Sequence, residues 1–432
     1  VLDGIIDEVR ISNIARPAEW IATEYNNQKA PAAFYTVGIE ETAGTNADPL
    51  NNGWQYSKKI TILASEVAAD LTNFPVLIRT THADWKDTSN GGNVAQVDGG
   101  DILFTAGNRI AKLDHEIESY DKTTGELVAW VEVLSLSASQ DTDIYIFYGN
   151  ANAVDQWNPT GAGVWEPNYV GVWHLSQSAG TRFDSTWNDN DGTNYGSSVI
   201  TGQMADGQDF ENTEDDYIDC GNDRSLDLTE VITISAWVKP ESTPAASDYF
   251  EFVTKDNTYN LQFMDATLRP RFAAQVPPSG PPWNSVNSPD AIDTTNFYYA
   301  VATYDKNGGA NNMKIFVDGQ LKDQNTYTDD IVTSTNPLTI GRWTAARDFD
   351  GVIDEVRVSR VSRSAAWIET EHNNQKTDST FYVIDDDWVG PCWDANYAYR
   401  KKITITATSA DIPAGCSVSF TEDTATLITN NK

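Results

Sequence analysis

A loop rich in aspartate and asparagine offers the clearest candidate metal ligands in this 432-residue chain. It contains Asp184, Asn188 and Asp191, followed by Gly192. Carboxylate and amide oxygens are the hard ligands that Ca²⁺ requires. The spacing is not that of an EF-hand, and such residues also serve turn geometry alone. The sequence predicts a structural calcium site here, with a simple turn as the alternative.

Catalytic motifs are weak. The run DHEIE at 114–118 places a histidine beside carboxylates, but it lacks the HExxH spacing of zinc proteases. On a strand, His115 and Glu116 point to opposite faces and cannot share a metal. Acidic pairs could imitate the carboxylates of glycosidases, yet 63 acidic residues produce such pairs by chance. We therefore expect no enzymatic activity and no catalytic residues.

The composition narrows the classes of partner. The chain has 29 basic and 63 acidic residues, a net charge of −34, which opposes binding to nucleic acid or to anionic membranes. It has no run of 18 apolar residues, so we expect no membrane insertion. Its length predicts two to four domains.

Separate segments of the chain recur in the same order. The recurring pairs are 3–14 with 350–361, 19–29 with 366–376, and 54–62 with 397–405. The first two pairs share one offset of 347 residues, as from Gly4 to Gly351, and the third has an offset of 343. Long-period similarity of this kind indicates a repeat protein. The chain then holds one period of about 345 residues with parts of its neighbours, and two module types alternate.

The repeats divide the chain into four pieces. Residues 1–37 are the C-terminal end of a second-type module, 50–160 a first-type module, 166–385 a complete second-type module, and 395–432 the start of another first-type module.

The local patterns are those of antiparallel β-structure. Residues 127–133 and 232–238 alternate with a period of two, as half-buried strands do. Residues 313–322 predict a hairpin with its turn at Asp318-Gly319. One helix is predicted at 365–372. The predicted fold class is all-β, with tandem antiparallel sandwiches or jelly rolls.

Motifs along residues 170–375 resemble the laminin G-like, concanavalin A-like jelly-roll family. They include GVWHL, DSTWNDNDGT, TISAWVKP, KIFVDGQL and FDGVIDEVRVS. Residues 54–158 resemble an uncharacterised domain family of prokaryotic surface proteins, on motifs that include YSKKITI, FPVLIRT, DGGDILFT and IYIFYGN. The two resemblances imply alternating β-modules, with one short helix in each laminin G-like module.

The jelly-roll resemblance extends the candidate sites. In related domains a structural Ca²⁺ links such a loop to an acidic residue of the last strand, which implies Asp350 or Asp354 here, and Asp3 or Asp7 in the preceding copy. Jelly-roll lectins stack sugars on loop aromatics, and the candidates are Trp187, Tyr195, Trp283 and Trp343. The alternative is local packing of these side chains, while Trp130, Trp173 and Trp237 fill the sandwich cores.

The resulting interpretation is a piece of a giant secreted tandem-repeat protein of the cell surface, with a structural or adhesive role as a filament or adhesin shaft. A carbohydrate-binding module is the alternative. The expected partners are neighbouring repeats or other copies of the chain, and polysaccharide in the alternative; Ca²⁺ is the expected cofactor. Whether residues 1–37 exchange strands with another copy stays open, as does pairing of Cys392 with Cys416, which would leave Cys220 as a buried thiol.

Overall fold

A computed structural model describes residues 48–157, 163–165, 167–245, 248–277, 283–343 and 347–385. The predicted pieces 1–37 and 395–432, with Cys392 and Cys416, lie outside these ranges. Cys220 is a buried free thiol.

The described residues form 23 strands and one α-helix. The first twelve strands are β1 (Tyr56–Ile62), β2 (Leu71–Thr81), β3 (Leu103–Ala106), β4 (Lys112–Leu113), β5 (His115–Asp121), β6 (Glu126–Leu136), β7 (Thr142–Tyr148), β8 (Tyr169–Trp173), β9 (Thr193–Tyr195), β10 (Ser198–Thr201), β11 (Asp206–Phe210) and β12 (Tyr217–Asp219). The others are β13 (Val231–Pro240), β14 (Tyr249–Lys255), β15 (Tyr259–Met264), β16 (Arg269–Ala274), β17 (Asn284–Asn287), β18 (Tyr298–Asp305), β19 (Met313–Val317), β20 (Gln320–Asn325), β21 (Leu338–Ile340), β22 (Gly351–Ser359) and β23 (Tyr382–Ile384). The helix α1 spans Ala365–Gln375, and short 3₁₀ helices lie at Pro49–Asn51, Ala64–Glu66, Ala83–Trp85, Thr88–Asn90, Arg224–Leu226 and Asp265–Thr267.

Two sandwiches follow each other along the chain. The first module has a five-stranded sheet in the order β23-β1-β7-β3-β4 and a three-stranded sheet in the order β2-β6-β5. The second module has an eight-stranded sheet in the order β10-β11-β22-β13-β18-β19-β20, with β8 also paired to β22. Its other sheet has seven strands in the order β17-β16-β15-β14-β21-β12-β9. All named strand pairs are antiparallel, so the predicted all-β fold class is confirmed.

Alternate residues of β6 face two different apolar cores. Leu127, Ala129 and Val131 lie in the core of the first module, whereas Val128 and Trp130 lie in a separate apolar layer on the other side of the sheet. On the second module, β13 does the same, with Ala236 in its own core and Trp237 in the separate layer. The four sheets therefore stack with three apolar layers between them.

The predicted hairpin joins β19 to β20. Asp318 and Gly319 have φ angles of 50° and 75°. Both angles are positive, as a type I′ turn requires, and glycine adopts such angles without a steric penalty.

The helix α1 begins at a side-chain cap. The Trp367 backbone N–H donates to the Ser364 hydroxyl at 3.1 Å, which satisfies one of the N–H groups left free at a helix start. The helix continues three residues beyond the predicted end, to Gln375. It reaches no membrane-spanning length, and within the described ranges no helix is long and apolar enough to cross a bilayer.

Candidate functional site at the module interface

An apolar layer joins the two modules. Leu77, Val128 and Trp130 of the first module meet the outer face of the eight-stranded sheet of the second. The residues contributed by the second module and by the connecting segment are Val164, Trp165, Tyr169, Val172, Met204, Trp237, Tyr299, Val301, Phe316 and Ile368. Burial of this apolar surface stabilises the contact, at about 25 cal/mol per Å² removed from water. The interface is thus built like a protein core.

The C-terminal part of the second module completes the first. Trp367 of α1 and Phe381, just before β23, belong to the hydrophobic core of the first module. The Trp367 ring lies 4.9 Å from the ring of Phe74. Strand β23 then pairs with β1 in register Ile60 to Ile384. The first module therefore closes with residues from the C-terminal part of the second module.

Side-chain hydrogen bonds fix this docked segment. The amide of Asn374 accepts from Leu77 N at 2.7 Å and donates to Leu77 O at 3.0 Å. The hydroxyl of Tyr382 accepts from Arg79 N at 2.8 Å and donates to Arg79 O at 2.9 Å. Both side chains satisfy backbone groups of the edge strand β2, which would otherwise be left unpaired.

A cluster of buried charged side chains lies beside the apolar layer. Strand β5 of the first module directs Glu116 and Glu118 outward, where His174 of the second module lies between them and Glu355. The His174 Nε2 atom is 3.3 Å from Glu116, while Nδ1 is 2.5 Å from Glu355 and 3.7 Å from Glu118. All four side chains are buried. Two separate strands and the loop after β8 must therefore align for the cluster to form.

Arg357 extends the cluster. Its guanidinium donates to Glu355 at 2.5 Å and to Glu371 of α1 at 3.4 Å. It also lies over two tryptophan rings, 4.3 Å from the centre of Trp130 and 4.8 Å from that of Trp165. Aromatic faces attract a cation, more strongly where water is excluded.

The shifted pKa values follow from this arrangement. Burial alone would lower the pKa of His174, but the neighbouring carboxylates, Glu355 above all, outweigh it and hold the pKa well above its usual value. Burial would raise the pKa of Glu355, but His174 and Arg357 outweigh it and keep that pKa low. For Glu118, burial and then repulsion from Glu355 raise the pKa well above its usual value.

The four side chains are buried where the two modules meet, and this placement favours a role in joining the modules. Buried ion pairs add little net stability over apolar residues of the same volume, whereas removing one partner is costly. The arrangement therefore favours one registration of the two modules and penalises others.

The sequence alone did not reveal this cluster. The run DHEIE lacks the HExxH spacing, and His174 lies far from it in the sequence. The available signal was the alternation along β5: His115 is buried within the first module, and Glu116 and Glu118 share the opposite face.

The predicted calcium loop forms a set of turns. The Asp184 carboxylate accepts four hydrogen bonds, from Val172 N and Thr186 N at 2.9 Å, Asn190 N at 2.9 Å, and the Thr186 hydroxyl at 3.0 Å. Asp191 accepts from Asp184 N at 2.9 Å. These four bonds use the acceptor capacity of the Asp184 carboxylate. In this conformation Asp184 does not fit as a calcium ligand.

The other proposed calcium ligands lie apart from these turns. Asn188 donates to Tyr169 O at 3.4 Å. Asp354 is buried and accepts from the backbone amides of residues 203 and 204. Asp350 is half-buried directly before β22. Among the described hydrogen bonds, none joins Asp350 or Asp354 to the loop, and calcium binding stays a prediction.

The four candidate sugar-stacking aromatics occupy different settings. Trp187 is 73% exposed and Tyr195 is 48% exposed. Tyr195 stacks on Tyr217 with ring centres 4.6 Å apart. Trp283 and Trp343 are half-buried and contact each other edge to face at 6.4 Å. The structure brings the last two together, and glycan binding by any of the four stays a prediction.

Three tryptophans expected in the sandwich cores divide between two places. Trp173 lies in the core of the second module. Trp130 and Trp237 lie in the layer between the modules. Period-two alternation shows which residues of a strand share a face with each tryptophan. It does not show which other part of the chain covers that face.

Two family models match the chain. Residues 212–369 match the model described as the concanavalin A-like lectin/glucanases superfamily (Laminin_G_3). Residues 98–190 match a domain of unknown function (DUF2341). Both resemblances seen in the sequence are confirmed. The second match continues beyond the last first-module strand before the connecting segment, β7, and includes Glu116, Glu118 and His174 of the interface.

Solved structures of low sequence identity also align. Domain 4 of AbnA, a GH43 extracellular arabinanase from Geobacillus stearothermophilus in complex with arabinotriose, aligns at 19% identity and a TM-score of 0.36, over 48% of this chain and 98% of that domain. The binding domain of Paraclostridial Mosquitocidal Protein 1 aligns at 12% identity and a TM-score of 0.39, over 48% of this chain and 52% of its own. The binding domain of botulinum neurotoxin serotype G aligns at 14% identity and a TM-score of 0.37, over 48% and 50%. This chain thus spans about half of each toxin binding domain. None of the curated proteins compared with the chain matches it.

Proposed function

We propose that the chain is a structural or adhesive segment of a secreted tandem-repeat protein of the cell surface, and that the pair of modules is its repeating unit. The observation that carries the proposal is the closure of the first module by α1 and β23. A module whose hydrophobic core includes residues of the next module does not act as an independent domain joined by a flexible linker.

The repeat in the sequence supports the same unit. The residues through which the tail docks recur unchanged 347 positions earlier, as Trp20, Thr23, Asn27, Phe34 and Tyr35 for Trp367, Thr370, Asn374, Phe381 and Tyr382. The cluster residues Glu355, Arg357 and Glu371 recur likewise as Glu8, Arg10 and Glu24. The identity of these residues in the two copies supports one docking mode along an array.

The role that we propose is non-catalytic and extracellular. The best-defined constellation of charged side chains is enclosed between modules, where it contacts protein atoms and not solvent. A net charge of −34 favours a solvated chain that repels its copies except at matched surfaces.

Scanning calorimetry of the full chain tests the unit. A coupled pair unfolds in one transition whose calorimetric and van't Hoff enthalpies agree. Two separate transitions, one for each module, would contradict the proposal. Imaging of native material should then show one structural period for every sequence period of about 345 residues.

A second candidate, carbohydrate binding, is favoured by the exposure of Trp187. A large apolar ring that is 73% exposed can stack on a sugar ring. A glycan array probed with the full chain and with Trp187→Ala tests it. Signals that vanish in the variant support a lectin role, and an array without signals contradicts it.

A further inference from the structure

Three potential metal ligands converge in the buried cluster between the modules. Glu118 comes from β5 of the first module, His174 from the loop after β8, and Glu355 from β22 of the second module. One ligand atom of each lies within 4.8 Å of the other two. Their side chains are 1%, 4% and 0% exposed.

One polar atom of each of these three side chains already has a hydrogen-bond partner. Trp130 Nε1 donates to Glu118 Oε2 at 2.9 Å, and Arg357 donates to Glu355 Oε2. The His174 Nε2 atom lies 3.3 Å from Glu116 Oε2, as a donor to that carboxylate. Outer partners of this kind orient metal ligands, and a histidine ligand usually donates its other ring N–H to a carboxylate or carbonyl.

Of the other ligand atoms, Glu355 Oε1 and His174 Nδ1 share a hydrogen bond of 2.5 Å, and Nδ1 lies 3.7 Å from Glu118 Oε2. Glu118 Oε1 is buried and has no hydrogen-bond partner among the described residues. An unpaired buried carboxylate oxygen is costly. This unpaired oxygen is an observation independent of the clustering, and it supports a ligand site at the cluster.

The local charge is also unbalanced. Five carboxylates lie in the cluster and its immediate surroundings, those of Glu116, Glu118, Asp354, Glu355 and Glu371. In the described part of the chain, Arg357 and, when protonated, His174 are the cations that face them. Buried negative charge must be neutralised by protons or by a bound cation.

We propose that Glu118, His174 and Glu355 bind a divalent metal ion of the Zn²⁺ class and that the ion ties the first module to the second. One imidazole nitrogen with two carboxylate oxygens suits Zn²⁺ and similar ions, whereas Ca²⁺ takes six to eight oxygen ligands. Bound metal would take the place of the proton on His174 Nδ1. The site does not depend on the proposed surface role, because it concerns only how the two modules are joined.

Metal analysis of the full chain tests the site. The chain is unfolded with a chelator, refolded with or without Zn²⁺, desalted, and its zinc measured by mass spectrometry. We expect one ion per chain after refolding with Zn²⁺, and a higher thermal midpoint than in the metal-free sample. Glu118→Gln and His174→Gln should each weaken binding at least ~10-fold.

The matched control is Glu241→Gln. Glu241 belongs to an acidic trio with Asp209 and Glu211, in which two members are exposed. This variant should bind zinc as the wild type does. Loss of zinc in the control but not in the cluster variants would overturn the proposal.

The wild-type measurement decides even if a cluster variant fails to fold. A refolded wild-type chain without zinc and with an unchanged midpoint would overturn the site. The cluster would then be a network that shares protons. Cobalt gives an independent readout, since Co²⁺ at a site with one nitrogen and two oxygens produces visible absorption bands that excess Zn²⁺ removes.

Discussion

Replacement of Trp367 by alanine should destabilise the first module, although this residue belongs to the C-terminal part of the second module. The side chain is 6% exposed and lies in the first-module core against Phe74. Truncation of a buried tryptophan to alanine typically costs about 3–5 kcal/mol. The buried Trp367 Nε1 atom has no hydrogen-bond partner among the residues that the structure describes, and its removal offsets part of that loss. We therefore expect about 3–4 kcal/mol.

Hydrogen exchange locates the effect. A loss of about 3–4 kcal/mol corresponds to roughly 100- to 1000-fold faster exchange where exchange occurs through unfolding. The amides of β1 and β7 in the first module should show it in Trp367→Ala. The control Trp187→Ala removes a ring that is 73% exposed and should change stability by no more than about 0.5 kcal/mol. Unchanged protection of β1 and β7 in Trp367→Ala would refute the docking of the helix on the first module.

Three further changes test other parts of the structure. Burial raises the pKa of Glu251 to about 8 from 4.5, so between these pH values the folded state holds a proton that the unfolded chain has released. The free energy of unfolding should therefore fall as pH rises through this range, by up to about 1.4 kcal/mol per pH unit. Urea titrations of Glu251→Gln at several pH values should show a weaker dependence on pH. Gly319→Ala should cost about 1 kcal/mol in thermal or urea melts, because φ there is +75° and the added Cβ would lie 3.2 Å from Glu369 Cα; an unchanged midpoint would contradict the assigned turn. Asp184→Ala should lower the free energy of unfolding by about 2–4 kcal/mol, because it leaves buried donors unpaired. Thermal melts of the wild type with and without EDTA test whether the loop also binds Ca²⁺. An unchanged melting midpoint would exclude a stabilising ion.

Local patterns were sufficient for the β-class, the hairpin and the helix, because each depends on neighbours in sequence. The Asp318-Gly319 turn is an example, because two positive φ angles define it. The sequence of β6 also indicates that this strand is covered on both faces, which the alternation alone did not predict. Leu127 through Val131 are continuously apolar, which is typical of a strand covered on both faces.

The charged cluster was beyond sequence reasoning, because its members come from distant positions. Glu118 and Glu355 lie in different modules and meet only after both sandwiches have formed. No periodicity links them, and the offset of the internal repeat relates copies of a residue, not contacts. The docking of Trp367 on the preceding module was hidden for the same reason. A helix with a buried tryptophan is equally compatible with packing on its own module.

The pairing of β1 with β23 sets how the chain would advance through an array. Antiparallel register places Ile60 beside Ile384, so the polypeptide leaves the pair of modules next to the place where it entered, at a strand spacing of about 4.8 Å. Everything between these two strands is looped out to one side. In the proposed array, the step from one pair to the next would be set by the segment between β23 and the next pair, and the bulk of each pair would project to one side of the line of the chain. Tension along that line would separate β23 from β1 by breaking their hydrogen bonds one after another. The force would act on the two sandwiches only after β23 had been released.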